Sequence, residues 1–90
     1  MPPLTNAEKR ALKSRAQKLE PMLKIGHAGV SAGFLKSLDA ALAQNGLVKI
    51  RFGDFKEAKK TLAPEIAEKT GSELVMRVGN VAVFFRAKTG

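Results

Sequence analysis

The chain has no cysteine, no long hydrophobic run and half as many acidic as basic residues. Without cysteine in its 90 residues, it can form neither disulfides nor thiolate metal sites, and it suits a reducing compartment. The longest uninterrupted apolar run covers 81–85 and is far too short to span a bilayer. The opening MPPLTNAEKR has no apolar signal core, so we expect a cytoplasmic protein.

The shortage of acidic residues leaves the chain strongly basic. Sixteen Lys and Arg stand against eight Asp and Glu, which gives a net charge of +8. Such an excess in a small domain predicts a polyanionic partner. The alternative partner is an anionic membrane, but the basic helix predicted over 5–18 has only a narrow apolar stripe, so nucleic acid is favoured. With 44% hydrophobic residues, we expect 1–90 to form a single globular domain.

The apolar periodicity predicts an α/β fold in the order α-β-α-β-α-β-β, with a four-stranded mixed sheet. Two β-α-β crossovers imply parallel pairing, and a final hairpin adds an antiparallel strand. The predicted elements are a helix from the capping box Thr5-x-x-Glu8 to about Lys18, strand 22–25, a helix from Ser31 to Asn45-Gly46, strand 47–52, a helix from Asp54-x-x-Glu57 to Gly71, and strands 73–78 and 81–86 around a Gly79-Asn80 turn.

Pro64 complicates the third predicted helix, whose inner side would carry Phe55, Ala58, Leu62 and Ile66. A proline inside a helix loses one amide hydrogen bond and clashes with the preceding turn. Two outcomes are open. Either the helix kinks on its solvent side at Pro64, or it breaks near Thr61 and Pro64 occupies the first turn of a shorter helix.

The stretch LKIGHAGVSAGF places a Gly-x-x-Gly turn, Gly26 to Gly29, at the entrance to the second helix. Without side chains at its ends, such a turn lets a phosphodiester backbone approach outward-pointing amides near the positive end of the helix. The alternative is a tight turn that needs glycine for conformation only. The spacing matches neither a Walker loop nor a dinucleotide fingerprint.

The wider pattern resembles the YhbY-type CRM domain (chloroplast RNA splicing and ribosome maturation), over roughly Leu12 to Arg86. The motif Leu-Lys-x-x-Ala…Leu-x-Pro…Gly-x-x-Gly carries the resemblance, at Leu12, Lys13, Ala16, Leu19, Pro21, Gly26 and Gly29. The family implies a two-layer fold similar to the C-terminal domain of translation initiation factor three. It also implies RNA binding that involves the GxxG loop and, for stand-alone bacterial members, association with precursors of the large ribosomal subunit.

The candidate RNA-binding residues are the loop and the cations near it: Gly26, His27, Ala28, Gly29, Lys24, Lys36, Lys9, Arg10 and Lys13. His27 is either an exposed loop residue or a group that stacks on a base or donates to a phosphate.

A second basic surface is predicted if the helices cover one face of the sheet only. The open face would then carry Lys24, Lys49, Arg51, Arg77 and Arg86 beside Val75, Ala82 and Phe84. The alternatives are a solvated face and a phosphate-tracking surface, on which Phe84 would stack on a base or pack against its neighbours.

The charge and the GxxG loop predict an RNA-binding protein, which we expect to be a monomer. The resemblance to the CRM family implies that its RNA is ribosomal and that it acts during large-subunit assembly. The sequence shows no nucleophile elbow, paired carboxylate or metal-ligand spacing, so we expect no enzymatic activity, cofactor, metal or small-molecule substrate. Two rivals remain: a protein-docking adaptor on the ribosome or on a translation factor, and an enzyme that modifies or hydrolyses RNA.

Overall fold

The structure is a computed structural model that describes residues 4–87. It confirms the α/β class, with three helices and a four-stranded mixed sheet. The elements are α1 (Asn6–Ala16), β1 (Leu23–Ile25), α2 (Ala32–Asn45), β2 (Leu47–Phe52), a 3₁₀ turn (Lys56–Ala58), α3 (Lys59–Thr70), β3 (Glu73–Val78) and β4 (Val81–Phe85). Besides the start of α3, three predicted ends are displaced: α1 ends before Lys18, β1 begins after Met22, and β4 ends before Arg86.

The strand order in the sheet is β1-β2-β4-β3. The first crossover pairs β1 and β2 in parallel, as predicted. The parallel pairing predicted for the second crossover is wrong, because β4 lies between β2 and β3 and pairs antiparallel with both. Ala82, Val83 and Phe84 are buried, so this strand is apolar on both faces. Helices pack over both faces of this central strand, whereas β3 ends in the exposed Val78 and lies at the edge.

Helices α2 and α3 pack on one face of the sheet. Ser31 caps α2 by accepting a hydrogen bond from the Phe34 amide, and α2 ends at Gly46, where φ is 78°. Both signals were predicted from sequence. The core that they form with the sheet contains Ile25, Leu38, Leu42, Val48, Ile50, Phe52, Ala63, Ile66, Ala67, Ala82 and Phe84.

Helix α1 packs on the opposite face, so the expectation that helices cover one face only is wrong for α1. Its Leu12 and Ala16 form a second buried cluster with Leu47, Val75 and Val83. The reason is visible in the strands, because the alternate positions of β2 and β4 that point away from the first core are themselves partly apolar. A face of that kind is stable only when another element covers it.

The start of α1 follows its sequence signal. The Thr5 hydroxyl accepts from the Glu8 amide at 3.1 Å, and the Glu8 carboxylate accepts from the Thr5 amide at 3.0 Å. This capping box is the predicted one. The hydrogen bond from the Thr5 amide is the main reason that the pKa of Glu8 lies below its ordinary value, and the Thr5 side chain lowers this pKa further.

The predicted start of α3 at the Asp54-x-x-Glu57 pattern is wrong. Phe55 adopts a left-handed conformation with φ 57°, and the helix begins only at Lys59 without a side-chain cap. Phe55 is therefore not on the inner side of the helix. Pro64 is exposed inside a continuous helix that reaches Thr70. The predicted alternative of a break near Thr61 is thus wrong, whereas the stop at Gly71, with φ 63°, is confirmed.

Candidate nucleic-acid interface

The GxxG loop is a closed turn whose first three amides have no hydrogen-bond acceptor in the described part of the chain. The Gly29 amide donates to the Gly26 carbonyl at 2.9 Å, and the Ser31 amide donates to the Gly29 carbonyl at 3.0 Å. Within residues 4–87, the amides of Gly26, His27 and Ala28 donate to no acceptor, and all three residues are exposed. The loop thus presents successive N–H groups that a ligand oxygen can accept from.

The two glycines of the loop answer different requirements. At Gly29, φ is +70°, and an added Cβ would lie 3.3 Å from the Phe55 ring, so conformation and packing both favour glycine there. At Gly26, an added Cβ would meet nothing within 4 Å, and the backbone is not left-handed. The fold therefore gives no steric reason for glycine at Gly26, and the space that a side chain would enter there is open.

A second loop, residues 53–55, lies against the GxxG loop. The amides of Gly53 and Asp54 both donate to the Ile25 carbonyl, each at 3.0 Å, directly before Gly26. Phe55 follows, with its ring beside Gly29 and 47% of its surface exposed. From the sequence, the loop 53–55 and Phe55 were not expected beside the GxxG loop. A signal was present, because the carboxyl ends of two parallel strands meet at the same edge of a sheet.

Lys24 and Arg51 form a cationic pair near the ends of the two strands that lead into these loops. They are in register across the parallel strands β1 and β2, so their side chains point to the same face, and both are exposed. The Lys24 side chain runs over Gly53, since a Cβ on that glycine would collide with it. Lys36 is exposed in the second turn of α2.

The remaining predicted cations, Lys9, Arg10 and Lys13, lie on α1. Arg10 and Lys13 are exposed and Lys9 is half-buried. Because α1 and α2 pack on opposite faces of the sheet, these three side chains and Lys36 do not share one face. The cations predicted beside the loop are therefore divided between the two faces.

Two cations predicted for the second basic surface are engaged in the fold. The Lys49 ammonium donates to the Ala16 and Leu19 carbonyls at 3.3 and 3.1 Å, where α1 ends. Arg86 donates to the Asp39 carboxylate at 2.6 Å and to the Thr70 carbonyl at 2.8 Å. Arg86 thus points to the face of α2 and α3, and its predicted place on the open face is wrong.

A bulge in β3 changes the orientation of Arg77, a third cation predicted for the second basic surface. The register shifts between Leu74 and Met76, which brings Arg77 opposite Ala82. Directly opposed residues point to the same side of a sheet, so Arg77 shares the side of Ala82 and not that of Arg51. Ala82 and Phe84 belong to the core under α2 and α3 and are fully buried. Phe84 is therefore not available to stack on a base.

The cations around the GxxG loop form no ion pair with a described carboxylate. Within the described chain, the ion pairs join Lys69 to Glu65 and Arg86 to Asp39, so no described carboxylate lies within 4.0 Å of Lys24, Lys36 or Arg51. Among the same residues, no group of His, Asp and Glu is arranged to hold a metal ion. No helix in that range has the length and apolar character that a membrane span requires.

The profile of the CRS1/YhbY (CRM) domain matches residues 4–86. The chain belongs to the CRS1/YhbY (CRM) domain family. The resemblance found in the sequence is thereby confirmed.

Named relatives of this CRM domain extend over most of its length. The Bacillus subtilis "Probable RNA-binding protein YqeI" is 31% identical over 92% of this chain and 88% of its own. A Haemophilus influenzae protein named "RNA-binding protein" is 29% identical over 96% of this chain and 88% of its own. The solution structure of SAV1595 from Staphylococcus aureus, described as a hypothetical protein and a candidate RNA-binding protein, superimposes with a TM-score of 0.82 at 33% identity, over 98% of this chain and 93% of its own.

Proposed function

We propose that this CRM domain binds RNA by holding its sugar-phosphate backbone on the GxxG loop. The observation that carries the proposal is the set of unpartnered amides at Gly26, His27 and Ala28, with open space where Gly26 has no side chain. A phosphate oxygen accepts from such amides without meeting a side chain. The names of the relatives from Bacillus subtilis and Haemophilus influenzae support the same ligand.

The cations around the loop supply the electrostatic part of the interaction. Lys24 and Arg51 lie next to the loop on one side, and Lys36 lies on the helix that the loop enters. None of the three has a carboxylate partner within residues 4–87, so their charge is available to phosphates. His27, exposed at the tip of the turn, adds a further ring donor. Lys9, Arg10 and Lys13 would contact a ligand that also reaches the face of α1.

The proposed ligand is ribosomal RNA in precursors of the large ribosomal subunit, bound in the cytoplasm by a monomer without a cofactor. This part of the proposal rests on what the CRM family implies for stand-alone bacterial members. In this role the protein binds and does not catalyse. It is tested by crosslinking in cells, sequencing of the attached RNA and sedimentation of ribosomal particles. A protein-docking adaptor would instead stay associated with particles or partners after nuclease treatment.

The loop itself is tested by Gly26→Asp. Because the Cβ of residue 26 meets nothing, the variant should fold normally and place a carboxylate in front of the free amides. We expect RNA affinity to fall by at least 10-fold, roughly the effect of one lost charge-assisted contact plus repulsion. Gly29→Asp is a poorer probe, since the left-handed backbone and the Phe55 ring confound binding with folding.

The matched control for this test is Gln44→Glu, which adds the same charge at an exposed site near the far end of α2. Its affinity should stay within 2-fold of the wild type, about the range of a distant surface charge. Equal affinities of Gly26→Asp and Gln44→Glu in fluorescence anisotropy, with unchanged circular dichroism, would remove the loop from the binding site.

A further inference from the structure

Phe55 is an aromatic side chain held in the open beside the proposed phosphate site. It is one of five Phe in a chain without Trp or Tyr. The residue is 47% exposed, and it belongs to neither of the two buried clusters of the described chain. Hydrophobic burial in the folded chain therefore does not account for its position.

The backbone at Phe55 is held in an unfavourable conformation. In the described part of the chain, Phe55 is the one non-glycine residue whose φ is positive, at 57°. A left-handed conformation is unfavourable for a bulky side chain, because its Cβ approaches the following carbonyl oxygen. The preceding residues fix this geometry, because the Gly53 and Asp54 amides are both anchored on the Ile25 carbonyl. The strained turn thus carries the ring to the GxxG loop instead of into the core.

The contact with Gly29 sets the distance between the ring and the phosphate site. Ring atoms Cε2 and Cζ lie 3.3 and 3.4 Å from where a Cβ of Gly29 would stand. In a nucleotide the base is attached one sugar away from its phosphate. An aromatic surface that adjoins the loop is therefore within reach of a base whose phosphate lies on the free amides.

We propose that Phe55 is a stacking platform for an unpaired base, and that the domain consequently prefers single-stranded RNA at this loop. The inference rests on the proposed function, since the base is brought to Phe55 by the phosphate on the GxxG loop. Bases of a duplex are stacked on their neighbours and do not offer a face to Phe55, whereas unpaired bases do.

The first test compares Phe55→Leu with the wild type on two probes, a short oligouridylate and an RNA duplex of the same length. Leu keeps apolar bulk against Gly29 but removes the aromatic face. We expect affinity for oligouridylate to fall by roughly 5- to 150-fold, the range of a lost base–aromatic stack, and affinity for the duplex to change by less than about 2-fold. Phe55→Tyr, which keeps the aromatic face, should bind oligouridylate like the wild type.

The second test uses the absence of tryptophan. Phe55→Trp introduces a single Trp at the proposed platform, and stacking on uracil should quench its fluorescence on addition of oligouridylate but not of duplex. The control Val78→Trp, at a position that is 61% exposed at the end of β3 on the sheet face of α1, should not be quenched. Equal quenching of both variants overturns the proposal.

The measurements distinguish phosphate binding by the GxxG loop from base stacking on Phe55. If Gly26→Asp weakens binding of oligouridylate and Phe55→Leu does not, the stacking platform is wrong and the loop stands. If the wild type binds neither probe above background, the proposed function itself is wrong. If Phe55→Leu weakens both probes equally, Phe55 only supports the loop conformation and the preference for unpaired bases is refuted.

Discussion

At the residue scale, Lys49 and Arg51 carry the same charge on the same strand but differ in burial and in hydrogen bonding. They lie two positions apart on β2 and point to the same face. The Lys49 ammonium is bound to the carbonyls of Ala16 and Leu19, whereas Arg51 is exposed beside Lys24. Alternation along a strand predicts the shared face. The position of α1 decides which of the two cations forms hydrogen bonds within the protein.

Replacing Lys49 by Met should lower the free energy of unfolding by about 1–3 kcal/mol, because two carbonyls at the end of α1 lose a charged donor. Arg51→Met, which removes the same charge from the same strand face, should change it by less than about 0.5 kcal/mol. Urea unfolding followed by circular dichroism measures both. Equal destabilisation by the two variants would contradict the structural role of Lys49.

Helix α3 shows the same dependence on context at the element scale. The residues before it contain a capping-box pattern, Asp54-x-x-Glu57, that the structure does not use, because the Asp54 amide is bound to the Ile25 carbonyl. A long-range contact thus replaces a local start signal. The helix begins at Lys59 without a side-chain cap and continues through Pro64.

Pro64→Ala should raise the free energy of unfolding by about 2 kcal/mol. The alanine restores an amide that can donate to the carbonyl four residues earlier, and it removes the clash of the ring with the preceding turn. Pro64 is exposed, so no packing is lost. The control Thr61→Ala, also exposed in α3, should gain only about 0.5 kcal/mol from helix propensity. A Pro64→Ala variant no more stable than Thr61→Ala in urea would refute this account.

The sequence predicts elements well where the determinants are local. The capping box of α1, the N-cap and the stop of α2, and the bounds of β2 and β3 depend on neighbouring residues and agree with the structure. The start of α3 and the bulge at Val75 depend on contacts between distant segments. The bulge also misled the interpretation of the candidate site, because a single extra residue in β3 reverses the side to which Arg77 points.

At the scale of the whole molecule, strand order and the position of α1 decide which charges meet. The apolar side chains Val81, Val83 and Phe85 on the α1 side of β4 were the sequence signal that this face is covered. Periodicity reveals such a face but not which helix covers it, and it does not show that β4 separates β2 from β3. The GxxG loop and Lys24 were identifiable from sequence, whereas Phe55 required the tertiary contact.

The placement of charge predicts a measurable salt dependence. In a plot of the logarithm of RNA affinity against the logarithm of salt concentration, Arg51→Met should reduce the slope for oligouridylate by roughly 0.7, the value for one phosphate of a single strand. Lys69→Met removes the same charge from an ion pair with Glu65 in the last turn of α3 and should leave the slope unchanged. Identical slopes for the two variants would show that Arg51 contacts no phosphate.

The Ile25 carbonyl, which accepts from both Gly53 and Asp54, makes the two loops one unit. Transplanting residues 26–29 alone onto another scaffold would leave behind the turn that positions Phe55 and the carbonyl partner that fixes it. A working graft has to carry the ends of both parallel strands together.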